Sequence, residues 1–133
     1  PVNLNASVAR VILHSTSNPT TDMFRISFSS ESRIGLNRYS SGAAKDVTWE
    51  VIEFENVKSM QRGTVESSGP ETVTINPVDP FKSLIFVSRR SGSITNWGSS
   101  MINMSSVFNS STSVTFYYRL SNTILGWQIV EFY

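Results

Sequence analysis

Residues 49–54 (WEVIEF) of this 133-residue chain return as residues 127–132 (WQIVEF), one residue from its end. In an extended strand successive side chains point to opposite faces, so Trp49 and Val51 share one face with Glu53. The opposite face is apolar as well, a pattern typical of a strand inside a sandwich or at a subunit contact. The repeat predicts a duplicated fold in which both strands are internal. Six residues of the two strands form the predicted structural core: Trp49, Val51, Phe54, Trp127, Ile129 and Phe132.

Other positions repeat in the same order along the two halves of the chain. The matched residues are Met23 with Met104, Ser30 with Ser111, Ser32 with Ser113 and Arg38 with Arg119, and residues 11–13 fall near residues 84–86. We divide the chain into an N-terminal half-repeat of about four strands, residues 1–56, and a C-terminal full repeat of about six, residues 57–133. A four-strand half buries too little apolar surface to stand alone, so we expect the halves to pack as one compact body. The same pattern also fits two unrelated core strands, and the halves fit either one sandwich or two packed subdomains.

Strand patterns run through the chain, whereas helical periodicity does not. The predicted strands cover residues 8–13, 23–28, 33–38, 49–54, 57–65, 71–75, 83–88, 113–119 and 127–132, and residues 101–108 are ambiguous. The turn at residues 67–70 (SSGP) predicts that the strands on either side of it form a hairpin. The chain is therefore predicted to be all-β, an antiparallel β-sandwich with an internal duplication.

The amino-acid composition argues against several classes of binding partner and chemistry. Only 16% of the residues are charged and the net charge is +1, so we expect no nucleic-acid partner. No apolar run reaches the roughly 18 residues of a membrane span, so we expect no membrane insertion. The absence of cysteine removes disulfides and thiolate chemistry. A start at Pro1 is what initiator-methionine removal leaves, and we expect a small whole protein made in a cytoplasm.

The titratable residues show no catalytic pattern. His14 is the only histidine, and it has no partner at the spacing that a metal site or a Ser-His-Asp triad needs. Glu50 and Glu53 point to opposite faces of one strand, so they cannot act together on one glycosidic bond. The repeat matches Glu53 with Glu131; these could approach each other, although structural pairing with Arg is favoured. We predict that the protein is not an enzyme and uses no cofactor or metal.

Residues 89–98 form the best candidate for a binding loop. Trp97 offers an apolar plate for a sugar ring, and Arg89, Arg90 and Asn96 offer hydrogen bonds. The same features suit a contact between subunits, or a Trp97 side chain that folds back onto the core. These four residues are therefore candidates for ligand or subunit contact.

Three segments carry a resemblance to known families. Residues 60–65 (MQRGTV), 73–83 (VTINPVDPFKS) and 127–132 (WQIVEF) resemble a repeat seen in structural proteins of tailed bacteriophages, often tail-fibre or virion-surface proteins. The apolar run, the Arg-bearing strand and the final Trp strand are also similar to the H-type lectin domain, a six-stranded antiparallel sandwich that commonly forms trimers. The resemblance covers residues 57–132 well and residues 7–54 in part. H-type lectins bind sugar at loop ends near subunit boundaries, and those positions have no clear counterpart here.

The resemblance implies a non-enzymatic structural protein of a tailed-phage virion, serving as a head-decoration, neck or tail-fibre component. We expect a homo-oligomer that contacts other virion proteins, with a trimer as the favoured form. The alternative is a lectin-like receptor-binding module that holds host surface glycans. The fold alone does not establish that second function.

Overall fold

The computed structural model describes residues 1–13, 24–38, 46–90, 104–118 and 123–133. The strands are β1 (Ser7–Leu13), β2 (Arg25–Ser30), β3 (Arg33–Asn37), β4 (Val47–Glu53), β5 (Val57–Ser67), β6 (Glu71–Thr74), β7 (Ser83–Arg90), β8 (Ser105–Ser110), β9 (Ser113–Tyr117) and β10 (Thr123–Phe132), with a 3-10 turn at Pro80–Lys82. Their pairings are antiparallel, so the prediction of an all-β fold with antiparallel sheets is confirmed. Within these ranges no helix is long and apolar enough to cross a membrane.

The second half contains two three-stranded sheets packed face to face, with strand orders β5-β10-β7 and β6-β9-β8. On β10 the side chains of Leu125, Trp127 and Ile129 alternate onto one face. They pack against Val114 and Phe116 of β9 in a single buried cluster. Because β10 has a strand on each side and a sheet above it, its sequence is a nearly continuous apolar run.

Strands β5 and β6 follow each other in the chain but lie in different sheets. Strand β5 pairs with β10, and β6 pairs with β9. The hairpin predicted for them is therefore wrong. The turn at residues 68–70 instead carries the chain from one sheet to the other, as at the corner of a sandwich. We call β5, this turn and β6 the β-arch, and it closes one edge of each sheet.

The first half repeats this pairing scheme with four strands. Strand β1 pairs with β4 as β7 pairs with β10, and the β2–β3 hairpin corresponds to the β8–β9 hairpin. The registers agree: Ser7 lies opposite Glu53 as Ser83 lies opposite Glu131, and Val11 lies opposite Trp49 as Val87 lies opposite Trp127. Among the described strands, the first half has no counterpart of the β-arch.

The segments that lead into β1 and β7 are also alike. Residues 1–3 (PVN) correspond to residues 77–79 (PVD). Three hydrogen bonds of the first segment have equivalents in the second. The N–H of Val2 donates to the carbonyl of Glu31, as the N–H of Val78 donates to the carbonyl of Ser111. The Asn3 side chain accepts the N–H of Asn5 and the Asn3 carbonyl accepts the Ser7 hydroxyl, as the side chain and the carbonyl of Asp79 accept the N–H of Phe81 and the hydroxyl of Ser83. The two halves therefore share one folding scheme from the entry turn to the closing strand.

The correspondence of the two hairpins differs by one residue from the sequence alignment. Ser30 faces Arg33 at the end of the first hairpin, and Ser110 faces Ser113 at the end of the second. Ser30 therefore corresponds to Ser110 and not to Ser111. Neighbouring serines at both turns fit either alignment, whereas in a folded sheet a slip of one residue turns every side chain to the other face.

The halves meet where strand edges of the first half abut a sheet face of the second. Gln128 on β10 accepts the backbone N–H of Ala9 at 3.2 Å and donates to its carbonyl at 2.7 Å. The hydroxyl of Ser88 accepts the N–H of Ile26 at 3.2 Å. Arg62 on β5 donates to two backbone carbonyls at the start of the first half. Side chains of the second half thus satisfy backbone groups of β1 and β2.

We expect Gln128→Ala to lower the free energy of unfolding by about 2 kcal/mol or more, because the buried N–H and C=O of Ala9 lose their partner. Gln61 makes the same two-bond contact with the backbone of Asn76 at an exposed site. Gln61→Ala is therefore the matched control and should cost less, since water replaces the lost bonds. Urea unfolding of the wild type and both variants measures the difference. Equal losses would mean that Gln128 does not hold the halves together.

Candidate functional site

Two of the four residues of the predicted binding loop lie within the described part of the chain. Arg89 and Arg90 end β7, whereas Asn96 and Trp97 lie outside the described residues, as does His14. Arg89 is buried, and this burial lowers the pKa of its guanidinium. Its side chain is therefore held in the interior, away from the surface where a shallow sugar site needs it. Arg90 is partly exposed.

The two repeated tryptophans have different surroundings. Trp127 is 7% exposed, but Trp49 is 49% exposed, so the prediction that Trp49 belongs to the core is wrong. The reason is pairing: β10 has a neighbour on both edges, whereas among the described strands β4 pairs with β1 alone. The other predicted core residues are buried or half-buried: Ile129, Val51, Phe54 and Phe132.

Gly63 explains how Trp127 is covered. It faces Trp127 across the β5–β10 ladder, and a Cβ at this position would overlap the indole ring. Only glycine lets β5 approach so closely, because it has no side chain. The other face of the pocket is closed by Phe116, whose ring stacks on Trp127 with centroids 6.4 Å apart. The β-arch and the second sheet together enclose this indole.

Glu131 is a buried carboxylate with three hydrogen-bond donors. It is 1% exposed and lies just beneath the surface under Lys58, whose Nζ is 2.8 Å from Oε1. The hydroxyl of Ser59 donates to Oε2 and the backbone N–H of Asp79 donates to Oε1, both at 2.9 Å. These bonds, that from Lys58 above all, hold the pKa of Glu131 below its ordinary value, and the same pair raises the pKa of Lys58. The carboxylate ties β10 to β5 and to the turn before β7.

The equivalent carboxylate of the first half is less enclosed. Glu53 is exposed and accepts the backbone N–H of Asn3 at 3.4 Å, which matches one of the bonds of Glu131. Glu50 forms an ion pair with Arg10 across the β1–β4 ladder. The pairing with Arg that the sequence predicts for Glu53 and Glu131 is thus found at Glu50, and Glu131 pairs with a lysine.

A cleft of about 200 Å³ lies between β2 and the β5–β10 ladder. Its lining includes Arg25, Phe28, Arg62, Thr64 and Trp127. The guanidinium carbon of Arg62 lies 5.4 Å from the centre of the Phe28 ring, a cation–π geometry. A cation, a ring and a hydroxyl converging on one cleft suit a small polar ligand.

A larger groove of about 330 Å³ opens beside Trp49 in the first half. It lies between the β1–β4 pair and the β2–β3 hairpin, and its apolar lining includes Val2, Phe28, Ile34, Trp49 and Val51. We call it the Trp49 groove. In a folded protein, contiguous exposed apolar surface of this kind marks a contact site more often than do scattered apolar side chains.

Three exposed apolar side chains lie at one end of the β5-β10-β7 sheet. Phe81 is 100% exposed, and Leu84 and Tyr133 are exposed as well. Phe81 and Leu84 lie just before and at the start of β7, Tyr133 follows the end of β10, and Ser83 lies opposite Glu131, so the three residues lie at the same end of the sheet. We call Phe81, Leu84 and Tyr133 the end patch. It is a second candidate contact surface.

Sequence reasoning misses two residues of these contacts. Gln128 binds the backbone of Ala9, and because every residue type has a backbone, no residue type in the sequence indicates this partner. Lys58 binds Glu131 from a distant strand. One signal was in the sequence: the repeat of residues 1–3 at residues 77–79 places the same turn beside Glu53 and beside Glu131.

Comparison of the chain with known protein families, with curated proteins and with solved structures gives no match.

We expect Glu131→Gln to destabilise the fold at neutral pH, because the charged acceptor of Lys58 is lost. Folding lowers the pKa of Glu131, so its contribution to stability is complete above the unfolded value of 4.5. That contribution is lost as the pH falls through the folded pKa, which lies lower. The difference in unfolding free energy between wild type and Glu131→Gln should therefore shrink below pH 4.5. Urea unfolding at a series of pH values measures it.

Glu53→Gln is the matched control, since Glu53 holds the equivalent position but is exposed. It should cost less stability at neutral pH than Glu131→Gln. If the effect of Glu131→Gln stayed constant into the acid range, the charged pair with Lys58 would not stabilise the fold.

Proposed function

We propose that this chain is a non-enzymatic structural protein of a tailed-phage virion, a head-decoration, neck or tail-fibre component that works as a symmetric oligomer. The resemblance of residues 60–65, 73–83 and 127–132 to phage structural repeats supports the virion setting. The end patch supports the mode of action, because a subunit of an assembly presents apolar surface to its neighbours.

The end patch is the observation that carries the proposal. Phe81 projects wholly into solvent from a turn in which the side chain of Asp79 accepts the Phe81 N–H at 2.9 Å. The capped turn fixes the backbone from which this ring projects. A closed oligomer buries Phe81, Leu84 and Tyr133 against the next subunit, and a trimer is the favoured form.

The carboxylates also support a structural role. Glu131 is bound to Lys58 and Glu50 to Arg10, so both acids hold strands together. General acid–base catalysis uses a carboxylate that can reach a substrate proton. The carboxylate oxygens of these two residues are already bound to cations of the fold.

A second candidate function is that of a lectin-like receptor-binding module for host glycans. The cleft between β2 and the β5–β10 ladder favours it, since its lining brings the Phe28 ring and the Thr64 hydroxyl together beside the Arg62 guanidinium. Its volume of about 200 Å³ is below the range of pockets that take drug-sized ligands, so it suits one small sugar unit.

Phe81→Ser combined with Leu84→Ser is expected to convert the oligomer to folded monomers at micromolar concentration. Both side chains are exposed in the single chain, so their loss removes subunit contact while sparing the core. Native mass spectrometry gives the subunit number, and circular dichroism checks the fold. Val107→Ser removes an exposed side chain from the opposite sheet and should leave the oligomer intact. A monomeric wild type, or an oligomer that survives the double substitution, would contradict the proposed mode of action.

A glycan array separates the two candidate functions. The structural protein should bind no glycan and should rebind purified capsids or tails that lack it. The lectin should bind at least one glycan and lose it, with the oligomer unchanged, in Phe28→Ala if the cleft is the site or in Trp97→Ala if the loop predicted from the sequence is the site. Loss of the oligomer in Trp97→Ala, with no sugar effect, would instead favour the structural role.

A further inference from the structure

We propose that the edge of the first half that β4 and β3 leave unpaired among the described strands binds a β-arch supplied by another polypeptide. In the second half, β5 pairs with β10 and β6 pairs with β9. The supplied arch lies on β4 and β3 in the same way, with one strand on each sheet. Its apolar side chains fill the Trp49 groove.

Five equivalent pairs of residues differ in burial in the direction that this arrangement requires. The member in the second half is buried beneath the β-arch or beside it, and the member in the first half is exposed or half-buried. The pairs are Trp49 and Trp127, Val51 and Ile129, Glu53 and Glu131, Ile34 and Val114, and Leu36 and Phe116. The first half therefore has the chemical character of a core face, and no strand of the described part of the chain covers it as the β-arch covers its counterpart.

The backbone of the β4–β3 edge suits strand addition. Among the described strands, β4 pairs only with β1 and β3 pairs only with β2. The opposite edges of the same two sheets are already capped, because Gln128 binds Ala9 on β1 and Ser88 binds Ile26 on β2. An edge strand that offers its outer side is a template on which an extended peptide forms a further strand. The edges that the described strands leave unpaired in the first half are those that the second half covers with its arch.

The second half shows which residue the occupant places against the tryptophan. Gly63 lies opposite Trp127, and any Cβ there would overlap the indole. The strand that pairs with β4 accordingly has glycine at the position facing Trp49. A bulky residue there would hold the strand away from the ring and away from β4.

The second half also shows how the two ends of the arch are held. Lys58 at the start of β5 binds Glu131, so the occupant brings a cation to Glu53. At the other end, Ile75 donates its N–H to the carbonyl of Thr112 at 2.9 Å. Ser32 holds the position of Thr112 in the first half and lines the Trp49 groove, so its carbonyl is the expected acceptor. Charge and hydrogen bonding thus fix the direction and the register of the bound arch.

A second copy of this chain is a poorer occupant. Its own β-arch already covers β10 and β9, and moving the arch to another chain would uncover Trp127 and Glu131. Exchange of that kind exposes as much core as it covers. A separate polypeptide with an uncommitted arch gains the contact without this loss.

The first test uses the full chain and a synthetic peptide of residues 57–76, which stands in for the supplied arch. We expect one peptide to bind per chain, measured by calorimetry, with a blue shift of the fluorescence that Trp49→Phe removes. Trp49→Ala should weaken binding at least about tenfold, since a large aromatic anchor is lost. The Gly63→Val peptide should weaken it as much, whereas the Gly69→Val peptide, changed where a Cβ meets no neighbour, should bind normally.

The second test reads the register, which is simple because the chain has no cysteine. Gln61 faces Ile129 in the second half, so Val51→Cys should form a disulfide with a Gln61→Cys peptide when a mild thiol oxidant is added. It should not do so with an Arg62→Cys peptide, whose thiol points to the other face of the strand.

Failure of the peptide to bind, or disulfides formed equally with both peptides, overturns the proposal. Disulfide-linked dimers of Val51→Cys chains that exclude the peptide overturn it as well, and make a second copy the occupant. Nothing in this pairing depends on a phage particle or on the end patch. Each of these outcomes therefore leaves the result of the oligomer test standing.

Discussion

Pairing of β10 along both of its edges is the constraint on which the rest of the structure depends. Between β5 and β7, and beneath the sheet that carries Phe116, this strand is closed on every side. One of its faces supplies Trp127 to the core. The other supplies Gln128 to the backbone of the first half, and its end supplies Glu131 to the entry turn of the second. Core, domain contact and ion pair all fail together if this strand is displaced.

The features of the fold that the sequence predicts are those that depend on local patterns of side chains. Alternation with a period of two residues identifies most of the strands, and the repeat of residues 49–54 identifies the two strands that correspond. The sequence predicts the register between the two halves less well. The structure matches Val11 with Val87, whereas the sequence alignment places residues 11–13 near residues 84–86. Serine-rich turns and short apolar runs look alike when shifted by one or several residues, so only the pairing of strands in the folded protein shows which residues of the two halves correspond.

A local sequence pattern does not determine how exposed a side chain is in the folded protein. The hexapeptides that begin at Trp49 and Trp127 are nearly the same, yet one indole is exposed and the other enclosed. The difference comes from β5, a strand that neither hexapeptide contains. The same holds for Arg89, which the sequence places in a polar loop and the structure buries at the end of β7. Burial depends on which distant strand arrives beside a residue, and that is a property of the whole topology.

The join between the halves has a consequence for how the molecule is made. Ala9 obtains its partner from Gln128, 119 residues later in the chain, on the last of the described strands. During synthesis the first half emerges before β10, so the N–H and C=O of Ala9 that Gln128 binds have no protein partner until β10 has formed. The nascent chain therefore passes through a stage in which a half-finished sheet is exposed to solvent, and formation of the final strand ends that stage.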